Sequence, residues 1–167
     1  FLAYRTPGRN TRDARVLDVI STYLGKGKSS KLYKKLVDNK KLSLQVAAFN
    51  MNNEDYSTYV ILSLPLGETT LTTLVAEIDE EVEKIKNELI SEKDYQKLQN
   101  QFESEFVSAN ANIAGIANSL AEYYAFYDGN TDLINEELDL YKSISREDIR
   151  QVALKYLNTN QRLELHY

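Results

Sequence analysis

The chain has no cysteine and no tryptophan, and only one histidine and two prolines in 167 residues. The lack of cysteine excludes disulfides, zinc ribbons and thiol nucleophiles together, and it leaves the redox compartment undetermined. The single histidine, His166, limits metal chemistry, because a catalytic zinc takes about three protein ligands and draws heavily on imidazole. His166 lies in an extended, alternating segment, where it is expected to be a strand residue rather than a ligand. No Ser-His-Asp arrangement can be built around it. No apolar run approaches the ~20 residues that a membrane span needs, and no basic-then-apolar leader precedes a small-residue cleavage site. The chain opens on Phe1 in mid-pattern rather than on methionine. It is therefore expected to be a fragment of a longer multidomain chain, with residues 1–167 as a single domain.

What is present is the composition of a globular protein, 43% apolar and 27% charged. The net charge of −5 hides an asymmetry. Residues 1–41 hold eleven Lys/Arg against three Asp/Glu, and residues 42–167 hold nine against twenty-two. The basic part lacks the interleaved exposed aromatics of a nucleic-acid surface, so no nucleic-acid partner is expected. A solvated face, or a face docking on an acidic partner domain, accounts for it.

The pattern along the chain predicts an α+β fold, a mostly antiparallel sheet with helices packed on one face. Leu2–Thr6 reads as extended, with a turn at Pro7-Gly8. Thr11 caps a helix with Ala14, Leu17, Ile20 and Leu24 inward, and Gly25 stops it. Ser29 or Ser30 caps a shorter helix whose inner face is Leu32, Tyr33 and Leu36. Residues 42–50 alternate, with Leu44, Val46 and Ala48 on one face. Residues 56–66 alternate again, with Val60, Leu62, Leu64 and Leu66 together. From Thr69 the period becomes helical, with Leu71, Leu74, Val75, Ile78, Val82, Ile85 and Leu89 as a stripe and glutamates on a solvated outer face. Ser91 with Asp94, and Ser145 with Asp148, form capping boxes for two further helices. Between them, residues 112–127 make a helix whose Ala114, Ala117 and Ala121 allow a neighbour close, and 133–141 make another. The aromatics Tyr123, Tyr124, Phe126 and Tyr127 are expected in core and interdomain packing. Residues 162–167 close the chain as a strand.

Gly27-Lys28-Ser29 imitates the end of a phosphate-binding loop. Such a loop needs an earlier glycine where Thr22 stands, and it must leave a strand rather than a helix. No nucleotide is expected here, and the stretch reads as a helix–turn–helix corner.

The same stretch, Gly25-Lys26-Gly27-Lys28-Ser29-Ser30-Lys31-Leu32-Tyr33, resembles the Gly-Ser and Ser-Ser-basic-Leu-Tyr signature of the pitrilysin, insulinase and mitochondrial-processing-peptidase family of zinc metallopeptidases. Tyr4-Arg5-Thr6-Pro7, Ile90-Ser91 with Tyr95 and Lys97, and Ser145-Arg146-Glu147-Asp148-Ile149 with Val152, Ala153, Tyr156 and Leu157 match further family patterns in the same order. The resemblance implies an enzyme built from related α+β domains around a chamber. One of these domains carries a His-x-x-Glu-His motif, whose zinc activates water with the glutamate as general base. That motif is missing from this chain, so it resembles the non-catalytic, C-terminal or inactive domain. It would carry no cofactor of its own, and the zinc is expected in a sister domain of the same chain. Some such domains hold an Arg and a Tyr seven residues apart that bind substrate. Here those positions are Val37 and Leu44, neither of which can donate a hydrogen bond to a peptide carbonyl. The resemblance thus implies a structural, substrate-enclosing domain of a zinc endopeptidase acting on peptides. The alternative is a domain of a catalytically dead relative that serves as a scaffold or pairing subunit.

Overall fold

The computed structural model describes residues 1–166. Two compact units are present. The first comprises residues 1–90 and those from 146 onward, and the second comprises Ser91–Ser145.

The larger unit is built on an antiparallel sheet of β1 (Leu2–Pro7), β2 (Ser43–Asn50), β3 (Tyr56–Pro65) and β4 (Arg162–Glu164), in the order β2-β3-β1-β4. Pairing of Leu2 with Ile61, Tyr4 with Tyr59 and Thr6 with Ser57 puts these six on one face. They are all buried, as are Val46 and Ala48 beside them on β2. The α+β architecture with helices on one face of the sheet therefore stands.

That face is covered by α1 (Arg12–Gly25), α2 (Leu71–Asn87) and α6 (Arg146–Tyr156). The expected inner residues of α1, Ala14, Leu17, Ile20 and Leu24, are buried. Thr11 starts the helix by accepting from the Ala14 amide at 3.2 Å. On α2, Leu74, Ile78, Val82 and Ile85 form the buried stripe, and Thr70 is the cap. The stripe is one turn shorter than its pattern suggests. The helix ends at Asn87, so Leu89 is left exposed and Ile90 turns inward. Each fully buried Leu or Ile contributes about 1.5–3 kcal/mol relative to its exposed state. Tyr4 and Tyr59 meet edge-on within this core, with ring centroids 6.4 Å apart.

The strands depart from the simple alternation in two places. On β3 the buried set is Ser57, Tyr59 and Ile61, and Val60 of the other face is also covered. Leu64 and Leu66, on the apolar face that the alternation marks out, are exposed. Both faces of this strand are apolar enough to pass as core, and the register with β1 decides between them. On β2, Ser43 pairs with Pro65 and Gln45 with Leu64, so Leu44 is the extra residue of a bulge. Its side chain is 62% exposed, and Ser43 takes the buried place. The Ser43 hydroxyl is satisfied there by Ser63 Oγ at 2.8 Å and the Leu64 carbonyl at 2.7 Å. Beyond β4, Leu165 and Phe1 exchange backbone hydrogen bonds. Tyr167, expected in this strand, lies outside the described residues.

The smaller unit is helical: α3 (Glu92–Ala109), α4 (Ile113–Phe126) and α5 (Leu133–Lys142). Ser91 caps α3, its Oγ accepting from the Asp94 amide at 3.1 Å and donating to the Asp94 carboxylate at 2.8 Å, so the two residues of the expected box meet through their side chains. Within it Leu98 is buried, Phe102 stacks on Tyr141 at 4.6 Å, and the Tyr95 hydroxyl donates to the Ile144 carbonyl at 2.8 Å. Helix α4 buries no residue. Ala114, Ala117 and Ala121 face solvent instead of a close neighbour, and Tyr124 is 70% exposed. Tyr123 and Tyr127 stack on one another, 5.0 Å apart, because residues four apart share a helix face.

Candidate functional site

The Gly-Ser corner joins α1 to a π-helix, Tyr33–Asn39. Gly25 remains helical and is buried. A Cβ added to it would stand 2.2 Å from the Ala48 amide nitrogen, so the glycine is there to let α1 lie against β2. Gly27 instead takes φ +76, with open space around it. The two glycines thus serve different purposes, one close approach and one left-handed backbone. Ser30 is buried. Its hydroxyl donates to the Gly27 carbonyl at 2.7 Å, and its own carbonyl accepts from the Lys34 amide at 3.1 Å. Lys28 and Ser29 are exposed, and Lys31 lies over the Tyr23 ring at 5.3 Å. Leu32 and Leu36 are fully buried and anchor the turn, while Tyr33 is only half-buried.

The shorter helix expected after the corner is present. It is π-bonded from Tyr33, as in the Lys40 amide donating to the Lys35 carbonyl at 3.0 Å, and the Leu42 amide then donates to the Leu36 carbonyl at 2.8 Å. Val37 is half-buried on this helix, and Leu44 sits at the bulge that follows. A tyrosine at position 44 would therefore reach solvent.

Two charge clusters escaped the sequence reading. Lys35, with a side chain only 13% exposed, lies 3.0 Å from Glu77, 2.9 Å from Glu80 and 3.2 Å from Glu81. Burial alone would lower its pKa, but the hydrogen bonds it donates to Glu80, Glu77 and Glu81 outweigh that and hold the ammonium above its ordinary value. Part of the acidic face of α2 is thus neutralised within the fold rather than solvated. Arg162 is the second case. Its side chain is 5% exposed, and it reaches inward from β4 to Asp79 with two nitrogens, to the Tyr4 hydroxyl and to Glu164. An arginine at an inward strand position opposite Tyr4 was the available signal.

His166 is half exposed beside Glu164, at 3.4 Å. Among the described residues no three of His, Cys, Asp and Glu are gathered so as to hold a metal ion. The donor set does not fit a catalytic zinc, so no hydrolytic step is assigned to these residues. No helix among the described residues is long and apolar enough to cross a membrane.

Comparison with known proteins bears directly on this arrangement. The family model of the peptidase M16 inactive domain matches residues 1–102. The zinc protease PqqE of Helicobacter pylori is 32% identical over 162 residues, covering 96% of this chain and 36% of that protein. A protease structure from Helicobacter pylori superimposes with a TM-score of 0.90 at 26% identity, over 96% of this chain and 38% of that one. A peptidase M16 inactive domain from Pseudomonas fluorescens superimposes with a TM-score of 0.79 at 17% identity, over 96% of this chain and 38% of that one. The chain thus spans a little over a third of the curated relative it matches. With the family model matching residues 1–102 of its 167, the chain belongs to the peptidase M16 inactive-domain family.

Proposed function

We propose that this domain acts by position: it packs against a sister domain of the same chain that carries the zinc motif, and it helps to enclose the peptide substrate. The observation that carries this reading is the family match, in a chain whose one histidine cannot supply a His-x-x-Glu-His motif. Val37 and Leu44 support it, since neither can donate a hydrogen bond to a substrate carbonyl. Zinc is a property of the sister domain in this account, and the substrate is a peptide.

The test is made on the parent polypeptide. Peptide cleavage is measured for the intact parent and for a version lacking residues 1–167, together with Val37→Arg/Leu44→Tyr. Deletion is expected to abolish activity, and the double substitution is expected to leave it unchanged. Full activity of the deleted form, or a parent without a zinc motif in any domain, would overturn the reading.

A further inference from the structure

At the end of β1 opens a groove of about 600 Å³, lined by Arg5, Pro7, Tyr56, Lys155, Tyr156 and Gln161. Its volume is that of a small-ligand site. The sheet itself leaves the groove open. Strand β1 pairs with β3 from Leu2 to Pro7, but with β4 only from Leu2 to Tyr4. Phe1 and Leu165 exchange both backbone hydrogen bonds. The two-residue alternation of an antiparallel ladder then turns the N–H and C=O of Arg5 toward β4. At that level β4 has not begun, because Gln161 still belongs to the short helical turn Thr159–Gln161. The ladder between β1 and β4 thus ends beside the groove, at the level of Arg5 and Gln161.

The side chains add a charge pattern. Lys155 already has a carboxylate, Asp13 Oδ2 at 2.7 Å, and that oxygen also accepts from the Tyr156 hydroxyl at 2.8 Å. Arg5 has none. Its guanidinium lies over the Tyr56 ring at 4.4 Å and makes no ion pair with any described residue. A guanidinium lying over an aromatic face keeps its N–H groups in their own plane, free to grip a planar acceptor with two prongs.

We propose that this groove binds the carboxylate of a peptide, gripped by Arg5 with Lys155 as the second cation. This goes beyond the enclosing role and does not rest on it. Tyr56 is the plate that aims the guanidinium. The carboxylate has two possible sources, a chain terminus or an Asp/Glu side chain, and the probes separate them.

Three acetylated tetrapeptides are titrated into the isotopically labelled chain: tetra-alanine with a free C-terminus, the same peptide amidated, and an amidated peptide with one internal aspartate. Chemical shifts of the Arg5 side chain and backbone amide are followed. Saturable shifts with the free-acid peptide identify the terminus as the source, and shifts with the aspartate peptide identify the side chain. The plain amidated peptide is expected to do nothing. Arg5→Gln should weaken binding at least about tenfold, as expected for a lost charge-assisted pair. Arg5→Lys should recover only part of it, and Tyr56→Leu, which keeps the charge, should give an intermediate loss. Thermal unfolding of each variant shows that the exposed substitutions leave the fold intact. Unmoved Arg5 resonances with both carboxylate peptides, equal binding by the plain amidated peptide, or undiminished binding by a folded Arg5→Gln chain would each overturn the proposal.

Discussion

Gly25→Ala is the most informative single change in the corner, because the structure fixes both its sign and its size. The added methyl would meet the Ala48 nitrogen at 2.2 Å, the Ala48 Cβ at 2.6 Å and the Ala47 carbonyl carbon at 2.8 Å. Two of these three atoms are backbone, which cannot rotate away, so α1 must lift from β2. Overpacking of this kind costs about 1–3 kcal/mol, and immovable neighbours place it at the upper end. Against this, alanine in a helix gains up to ~1 kcal/mol over glycine, and less at a last helical residue. The net loss is about 2 kcal/mol or more, which for a chain of this size lowers the midpoint by about 4–8 °C. Gly27→Ala is the control. It has no steric neighbour, only a φ of +76, and left-handed backbone costs about 1–2 kcal/mol. Thermal unfolding by circular dichroism, with urea titration to check the free energies, compares the two. If Gly25→Ala proves as stable as the unsubstituted chain, or less damaging than Gly27→Ala, the close-approach argument is wrong.

Lys28→Ala should change stability by no more than ~0.5 kcal/mol, and calorimetric titration of the chain with magnesium and ATP should give no saturable heat. Tyr59→Phe should be neutral or slightly stabilising in the same melts. Its buried hydroxyl has no well-formed hydrogen bond among the described residues, since the neighbouring Ser21 hydroxyl donates to the Leu17 carbonyl at 2.9 Å; a loss above about 1 kcal/mol would mean that Ser21 also serves the tyrosine. Acid should act through α2. Lys40, then Lys35, lowers the pKa of Glu77, and Lys84, then Lys35, holds Glu80 at about 2. In the unfolded chain these carboxylates bind protons near pH ~4.3, so between that value and about 2 the unfolded state binds more protons, and stability falls with pH. The urea midpoint should therefore drop in that window, and Lys35→Met should flatten the drop. An unchanged acid limb in Lys35→Met would remove Lys35 from the explanation.

Helices were the most legible part of the chain, since a period of 3.6 residues and a capping oxygen are local properties. Thr11 and Ser91 cap where their positions suggest, and the buried stripe of α2 follows its spacing. What escaped was decided between segments. The inward face of β3 depends on its register with β1, which sets Tyr59 opposite Tyr4 in a strand apolar on both sides. The bulge at Leu44 depends on one residue fewer in the facing strand. Burial of Lys35 and Arg162 needs partners 42 and 83 positions away, at Glu77 and Asp79. The family signature around the corner was readable because it is contiguous. Its physical content was less so, since Gly25 and Gly27 look alike in the sequence and do unlike work.

The π-helix after that corner has a consequence for how the family can vary in length. Bonding each amide to the carbonyl five residues back closes a loop one residue longer than that of an α-helix. Tyr33–Asn39 therefore behaves as a store of slack between two fixed points, the buried Leu32 and the start of β2. Removing one residue from its exposed side, at Asp38 or Asn39, would let the segment relax to α-helical bonding with both anchors in place. The same deletion in α1 would rotate Leu17, Ile20 and Leu24 out of the core. Among relatives, single-residue gaps should gather in this turn and avoid the helix before it.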